Sequence, residues 1–208
     1  MTPSPDLTLR EAAELAGVTK TTVEKAVEAQ VIRPLTRPAR LRGGSTRYVP
    51  LRAVAYFAAL KQANLVDLPV RLKKALWRGL VRLESRELAP VEFSPGAVLH
   101  LDELANEPFE AAVRYRASRD AHIVFDPAIL GGTPVIRGTR ITVYSVLGRL
   151  QDGDSVDDLA TDNPDVPREA FEAAAIFARA HPLRGRPSGR PWRHAARRRS
   201  GRRARTGR

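Results

Sequence analysis

A chain of 208 residues with a formal net charge of +12 is long enough for two packed units and basic enough to suggest a polyanionic partner. It has no cysteine, which excludes disulfides and thiolate metal sites, and no run nears the roughly 18 apolar residues of a membrane-spanning helix. No apolar targeting segment follows the opening MTPSPDLTLR, so the expected location is the cytoplasm.

The charge is unevenly spread. Residues 1–82 carry 15 Lys and Arg against 6 Asp and Glu, residues 83–182 carry 9 against 17, and residues 183–208 carry 11 Arg with no acid. A basic head, an acidic middle and a basic tail point to three different tasks. Arginine far outnumbers lysine beside abundant Ala, Gly, Pro and Val, as a GC-rich gene would give, so arginine content alone decides nothing.

In the head, Thr8 and Glu11 have the spacing of a capping box, Leu9, Ala12, Ala13 and Ala16 repeat at helical spacing, and Gly17 supplies a left-handed stop. Thr19 is placed to cap a second helix with Val23, Ala26 and Val27 facing inward. Lys20, Thr21, Thr22 and Lys25 then lie toward its outward, N-terminal side. Short hydroxyls and a cation at that end suit a helix that reads the major groove of DNA. The continuation VIRPLTRPARLRGGSTRYVPLRAVAYFAAL gives a short strand, a basic segment with Arg37, Arg40, Arg42 and Arg47 around a Gly43-Gly44 tip, and a helix beginning near Leu51. The arginines are expected to reach phosphates as a wing. In LREAAELAGVTKTTVEKAVEAQVI followed by RYVPLRAVAYFAAL, the head resembles the winged helix-turn-helix domain of the MerR superfamily. The cysteines or long coiled-coil helix of its usual effector domain are absent.

Further along, Leu72, Leu76, Leu80 and Leu83 form the stripe of an amphipathic helix, and APVEFSPGAVLHLDEL alternates around a Ser-Pro-Gly turn as a hairpin does. The boundary between units is expected near residues 90–120. GGTPVIRGTRITV has neither the G-x-G-x-x-G spacing of a dinucleotide loop nor the G-K-[ST] end of a phosphate loop. It reads instead as strands HIVFDP, PVI and RITV around a Gly-Gly turn and a tight turn at Arg137 and Gly138, with Gly138 at positive φ. Three helices follow: Tyr144 to Leu150, ended by Gly153; one capped by Ser155; and one from near Pro167 to before Pro182.

This stretch, with its Gly138-Thr139-Arg140 motif and NPDVPREAFEAAAIFA, resembles the GTR-motif domain of unknown function found in VapB-type antitoxins, over about residues 118–182. The resemblance implies a type II toxin-antitoxin module with a PIN-like (VapC-type) ribonuclease as partner. The acids Asp157, Asp158, Asp162, Asp165, Glu169 and Glu172 argue against DNA contact by the last helices. The strand HIVF and the Ala-rich face Ala173 to Ala178 are the dimer candidates, the latter equally readable as an ordinary packed helix.

The tail is too poor in apolar residues to fold alone. Arg184, Arg186, Arg190 and Arg193 around Trp192 suit an acidic nuclease cleft, where arginine pairs with metal-binding carboxylates and tryptophan anchors the segment. By the antitoxin resemblance this is the neutralising arm; attraction of nucleic acid is the plainer alternative, and the run Arg197 to Arg208 favours neither. The four histidines lack H-x-x-x-H spacing, and Asp126, four residues from His122, is explained by an Asp-Pro turn. No metal, cofactor or enzymatic activity is expected.

The expected architecture is mainly α with short β-hairpins. It comprises a winged helix-turn-helix head (1–82), a linker with a hairpin and a helix (83–117), a GTR-motif dimerisation and partner domain (118–182) and a disordered arginine-rich, toxin-binding tail (183–208). The expected function is a homodimeric antitoxin that represses its own operon and inhibits a ribonuclease. The alternative is a stand-alone MerR-like transcriptional regulator.

Overall fold

The computed structural model describes residues 7–38, 45–83 and 87–183. Strand β1 (Leu7–Thr8) runs directly into helix α1 (Leu9–Ala16), so Thr8 is both the last strand residue and the cap. Its hydroxyl accepts the Glu11 amide at 3.2 Å and the Glu11 carboxylate accepts the Thr8 amide at 2.7 Å, completing the expected capping box. Gly17 ends α1 at φ +63, and Thr19 caps α2 (Lys20–Glu28), which buries Val23, Ala26 and Val27.

The strand expected after α2 begins at Leu35, four residues beyond Val31. Gln30 turns at positive φ, the Val31 amide closes on the Ala26 carbonyl, and Val31 and Ile32 are buried, so these residues seal the end of α2. Pairing starts later, between β2 (Leu35–Pro38) and β3 (Ser45–Val49), with β1 on the other edge of β3. Helix α3 (Arg52–Gln62) buries every residue from Ala53 to Leu60, the pattern of a helix packed on all sides.

Helix α4 (Val70–Arg82) buries Leu76 and Leu80 of the expected stripe, with Leu72 and Leu83 half-buried. Strands β4 (Pro90–Ser94) and β5 (Ala97–His100) form the expected hairpin, its turn at Gly96 in the left-handed region. The segment expected as a linker then continues into α5 (Leu101–His122), at 22 residues the longest helix among those described. It packs against α3 and against the last helix, so one continuous apolar cluster runs from the head to the C-terminal helices.

In the GTR region only β6 (Ile123–Val124) and β7 (Val135–Ile136) pair as strands, much shorter than HIVFDP and PVI. Asp126 accepts the Ala128 amide and starts a turn, and a 3-10 turn at Leu130–Gly132 follows. Gly138 has φ +76, as expected, and the Thr139 hydroxyl closes the turn by donating to the Ile136 carbonyl and accepting the Ile141 amide. The expected strand RITV shrinks to one bridge between Val135 and Thr142. Thr142 instead caps α6 (Val143–Asp152), accepting the Ser145 amide, and the chain turns helical at Val143.

Gly153 ends α6, Ser155 and Asp158 form a capping box for α7 (Val156–Asp162), and Pro167 precedes α8 (Arg168–Ala180). Ala173, Ala174, Ala175, Phe177 and Ala178 are buried against this chain's own helices. The Ala-rich face is thus an internal packing surface, not a free dimer face. Among the described residues the molecule is mostly helical, with short antiparallel strand pairs.

Candidate functional site

The outer side of α2 bears the expected polar set. Thr19, Lys20, Thr21 and Lys25 are exposed; Thr22 is partly covered, its hydroxyl 2.9 Å from that of Thr19. Lys20 is not a free cation, because its ammonium lies 2.6 Å from Glu24. On the β2–β3 ribbon Arg37 pairs opposite Thr46 and Arg47 opposite Thr36. Cross-strand partners share a face and strand neighbours alternate, so Arg37 and Arg47 lie on opposite faces and cannot both serve one surface. Arg47 is the one that joins α2: its charge, with those of Lys20 and Arg10, helps hold the Glu24 carboxyl below its ordinary pKa, the Lys20 hydrogen bond contributing most. Arg40, Arg42, Gly43 and Gly44 lie outside the described residues.

Beside this face is a cleft of about 320 Å³. Arg10 from α1, Lys20 and Glu24 from α2 and Arg47 from β3 line one side, and Phe125, Phe177 and His181 line the other. Among the described residues neither Arg10 nor Arg47 has an ion-pair partner. Each cation comes from a different element, brought together because β1 joins α1 to the edge of β3.

The cleft floor is a buried ionic cluster. Glu11 is 1% exposed and Arg119 2%. The Arg119 guanidinium donates to both Glu11 oxygens at 3.1 and 3.0 Å, the Tyr115 hydroxyl donates to one at 2.7 Å, and the His181 Nε2 stands 3.8 Å away. Arg119 also donates to Asp120 at 3.0 Å. Burial raises the Glu11 pKa, but the His181 ring and the Arg119 charge pull harder and hold the carboxyl well below its usual range. Burial and the neighbouring Glu11 charge push the Tyr115 phenol up. For Arg119 burial acts downward, yet the Glu11 charge raises it, so the pair is fully ionic. No buried side-chain nitrogen or oxygen among the described residues lacks a partner.

Sequence reasoning found Glu11 only as a cap and missed Arg10, Tyr115, Arg119 and His181. Glu11 and Arg119 are 108 positions apart, and no local pattern announces such a pair.

The other expected sites are dispersed. His122 stands 4.0 Å from Glu169, while Asp126 is engaged by the Ala128 amide. Arg140 is exposed and Thr139 serves the backbone turn. Several acids of the last helices are neutralised locally: Arg168 bridges Asp157 and Glu172, and Arg149 bridges Asp154 and Asp162. Among the described residues no three His, Cys, Asp or Glu form a metal-holding group, and no helix is long and apolar enough to cross a membrane. Arg184, Arg186, Arg190, Trp192 and Arg193 lie outside the described residues; the last described one, Leu183, follows the cleft residue His181 by two positions.

The chain is thus a mostly helical protein whose C-terminal unit packs onto the N-terminal helix α1. Residues 123–178, from β6 through most of α8, match the family model described as a protein of unknown function, DUF433. A curated relative, the uncharacterized protein y4eO of Sinorhizobium fredii (strain NBRC 101917 / NGR234), is 35% identical over 122 residues, 56% of this chain and 50% of that protein. The chain therefore spans about half the length of the curated relative it matches. A solved structure, Rv2018 from Mycobacterium tuberculosis, aligns at 21% identity with a TM-score of 0.34, over 82% of this chain and 97% of that one. Neither the family description nor that of the relative carries an enzymatic name.

Proposed function

We propose that this chain is a DNA-binding antitoxin: a MerR-like winged helix-turn-helix head that binds the operator of its own operon, and a C-terminal arginine arm that neutralises a PIN-like ribonuclease. The observation that carries the DNA half is the shared surface of α2 and β3. Thr21 and Lys25 are exposed on a threonine-capped helix whose adjacent Lys20–Glu24 edge meets Arg47, and together they supply hydroxyls for base edges and cations for phosphates. The charge distribution agrees, since the basic excess lies in the head and tail while the acidic middle is partly neutralised by its own ion pairs. The antitoxin half rests on the GTR-motif resemblance of residues 118–182 and on Arg184, Arg186, Arg190, Trp192 and Arg193, whose chemistry suits a carboxylate-lined cleft.

The two halves separate by mutation. The full chain is co-purified with the tagged product of a neighbouring nuclease gene and assayed on DNA from upstream of its own gene. R190A/W192A/R193A should lose the complex and release ribonuclease activity with DNA binding nearly intact, and T21A/K25A/R47A should do the reverse. Loss of both functions in either variant contradicts this division of labour. Absence of any nuclease complex, with DNA binding retained, leaves the stand-alone regulator.

A further inference from the structure

We propose that the cleft between the head and the C-terminal unit seats a phosphate group held by Arg10, Lys20 and Arg47. Three cations on three elements converge on one concavity, and two of them have no ion-pair partner among the described residues. The floor adds no net charge, because Glu11 and Arg119 neutralise each other. The only carboxylate among the cleft-lining residues besides Glu11 is Glu24, so the rim carries three positive charges against one negative. Ser45, two residues from Arg47 on the same face of β3, adds a neutral hydroxyl donor. An isolated anion with several oxygens satisfies such a rim better than a carboxylate does, because it accepts from several donors at once.

The Lys20–Glu24 pair is the built-in counterpart. Lys20 lies 2.6 Å from Glu24, so binding requires its ammonium to exchange this carboxylate for the phosphate. Glu24 therefore opposes binding in two ways, by repulsion and by holding Lys20, and its removal should tighten the site. Two sources carry the chemistry: a backbone phosphate of a duplex seated on α2, which rests on the DNA-reading proposal, or a free phosphorylated small molecule, which does not.

The test uses the full chain, with folding checked by circular dichroism. Inorganic phosphate, adenosine monophosphate and a random-sequence duplex are titrated in turn into the wild type, R10A, R10A/R47A and E24Q. For a free ligand, calorimetry should show one saturable site for phosphate or the monophosphate, weakened about tenfold or more in R10A/R47A and tightened several-fold in E24Q. For a duplex phosphate, the free anions should not saturate, while the slope of log affinity against log salt should fall in magnitude by roughly 1 in R10A. Unchanged anion binding and an unchanged slope in R10A and R10A/R47A overturn the proposal. Duplex binding that needs Thr21 and Lys25 but ignores Arg10 overturns this inference alone. Monophosphate binding without any duplex binding overturns the DNA-reading proposal and leaves this one standing.

Discussion

Glu11 serves two structures at once, as the last member of an α1 capping box and as the buried counter-charge of Arg119. Glu11→Gln takes the doubly bonded counter-charge from a guanidinium that is 2% exposed and keeps Asp120 beside it, and should destabilise the fold by roughly 3 kcal/mol in chemical denaturation. Replacing both members, in E11L/R119M, should cost less than the sum of the single changes, because no unpaired buried charge remains. The pH dependence has a defined sign. The folded carboxyl is depressed, so its contribution is complete above the unfolded value near 4.5 and is lost as pH falls below that value toward the folded one. The wild type should lose stability on acidification in that window, and E11Q should lack that part of the slope. At Gly138, φ is +76 and no atom lies within 4 Å of an added Cβ. Gly138→Ala therefore meets backbone strain only, and should lower stability by about 1–2 kcal/mol, read as a drop in thermal midpoint.

At the scale of elements, what could be read in advance is what the backbone decides within four residues. Thr8 with Glu11, Gly17, Thr19, Gly153 and Ser155 mark helix ends because the hydrogen bond or the left-handed turn involves near neighbours only. Strand lengths were less legible. RITV is β-branched and alternating, yet Thr142 is more useful as a helix cap than as a ladder residue, and the helix prevails. Nor does local pattern reveal the approach of α4 to β4, where Gly79 abuts Val91 so closely that an added Cβ would collide with its Cγ1. Gly79→Ala should therefore destabilise by about 1–3 kcal/mol despite its gain in helix propensity, and Val91→Ala in the same background should recover part of the loss. Removing the α2 cap, in Thr19→Ala, should cost about 1 kcal/mol and fray the first turn that presents Lys20 and Thr21.

Over the whole molecule, the long-range ties are those that no single stretch of sequence displays. The segment expected as a linker supplies α5, and α5 supplies the Tyr115 and Arg119 that hold α1. A second tie, Arg179 with Glu14 at 2.6 Å, joins α8 to α1. The helix pair bearing the proposed reading surface is consequently clamped at α1 by α5 and α8. Of the proposed DNA contacts, Lys20 and Arg47 were legible from charge and spacing. Arg10 was not, because its place in the cleft depends on β1 joining the edge of β3. Its neighbour Glu11 matters through residues more than 100 positions away.

The central claim, that the head reads duplex DNA, is tested most directly by a mobility shift of the full chain on DNA from upstream of its own gene, against excess random-sequence duplex. The account predicts a retained complex that resists the competitor in the wild type, loses that resistance in T21A/K25A/R47A, and keeps it when residues 184–208 are removed. Binding that vanishes with the tail but is indifferent to Thr21, Lys25 and Arg47 would contradict it, and would make the arginine run the sole source of nucleic-acid affinity.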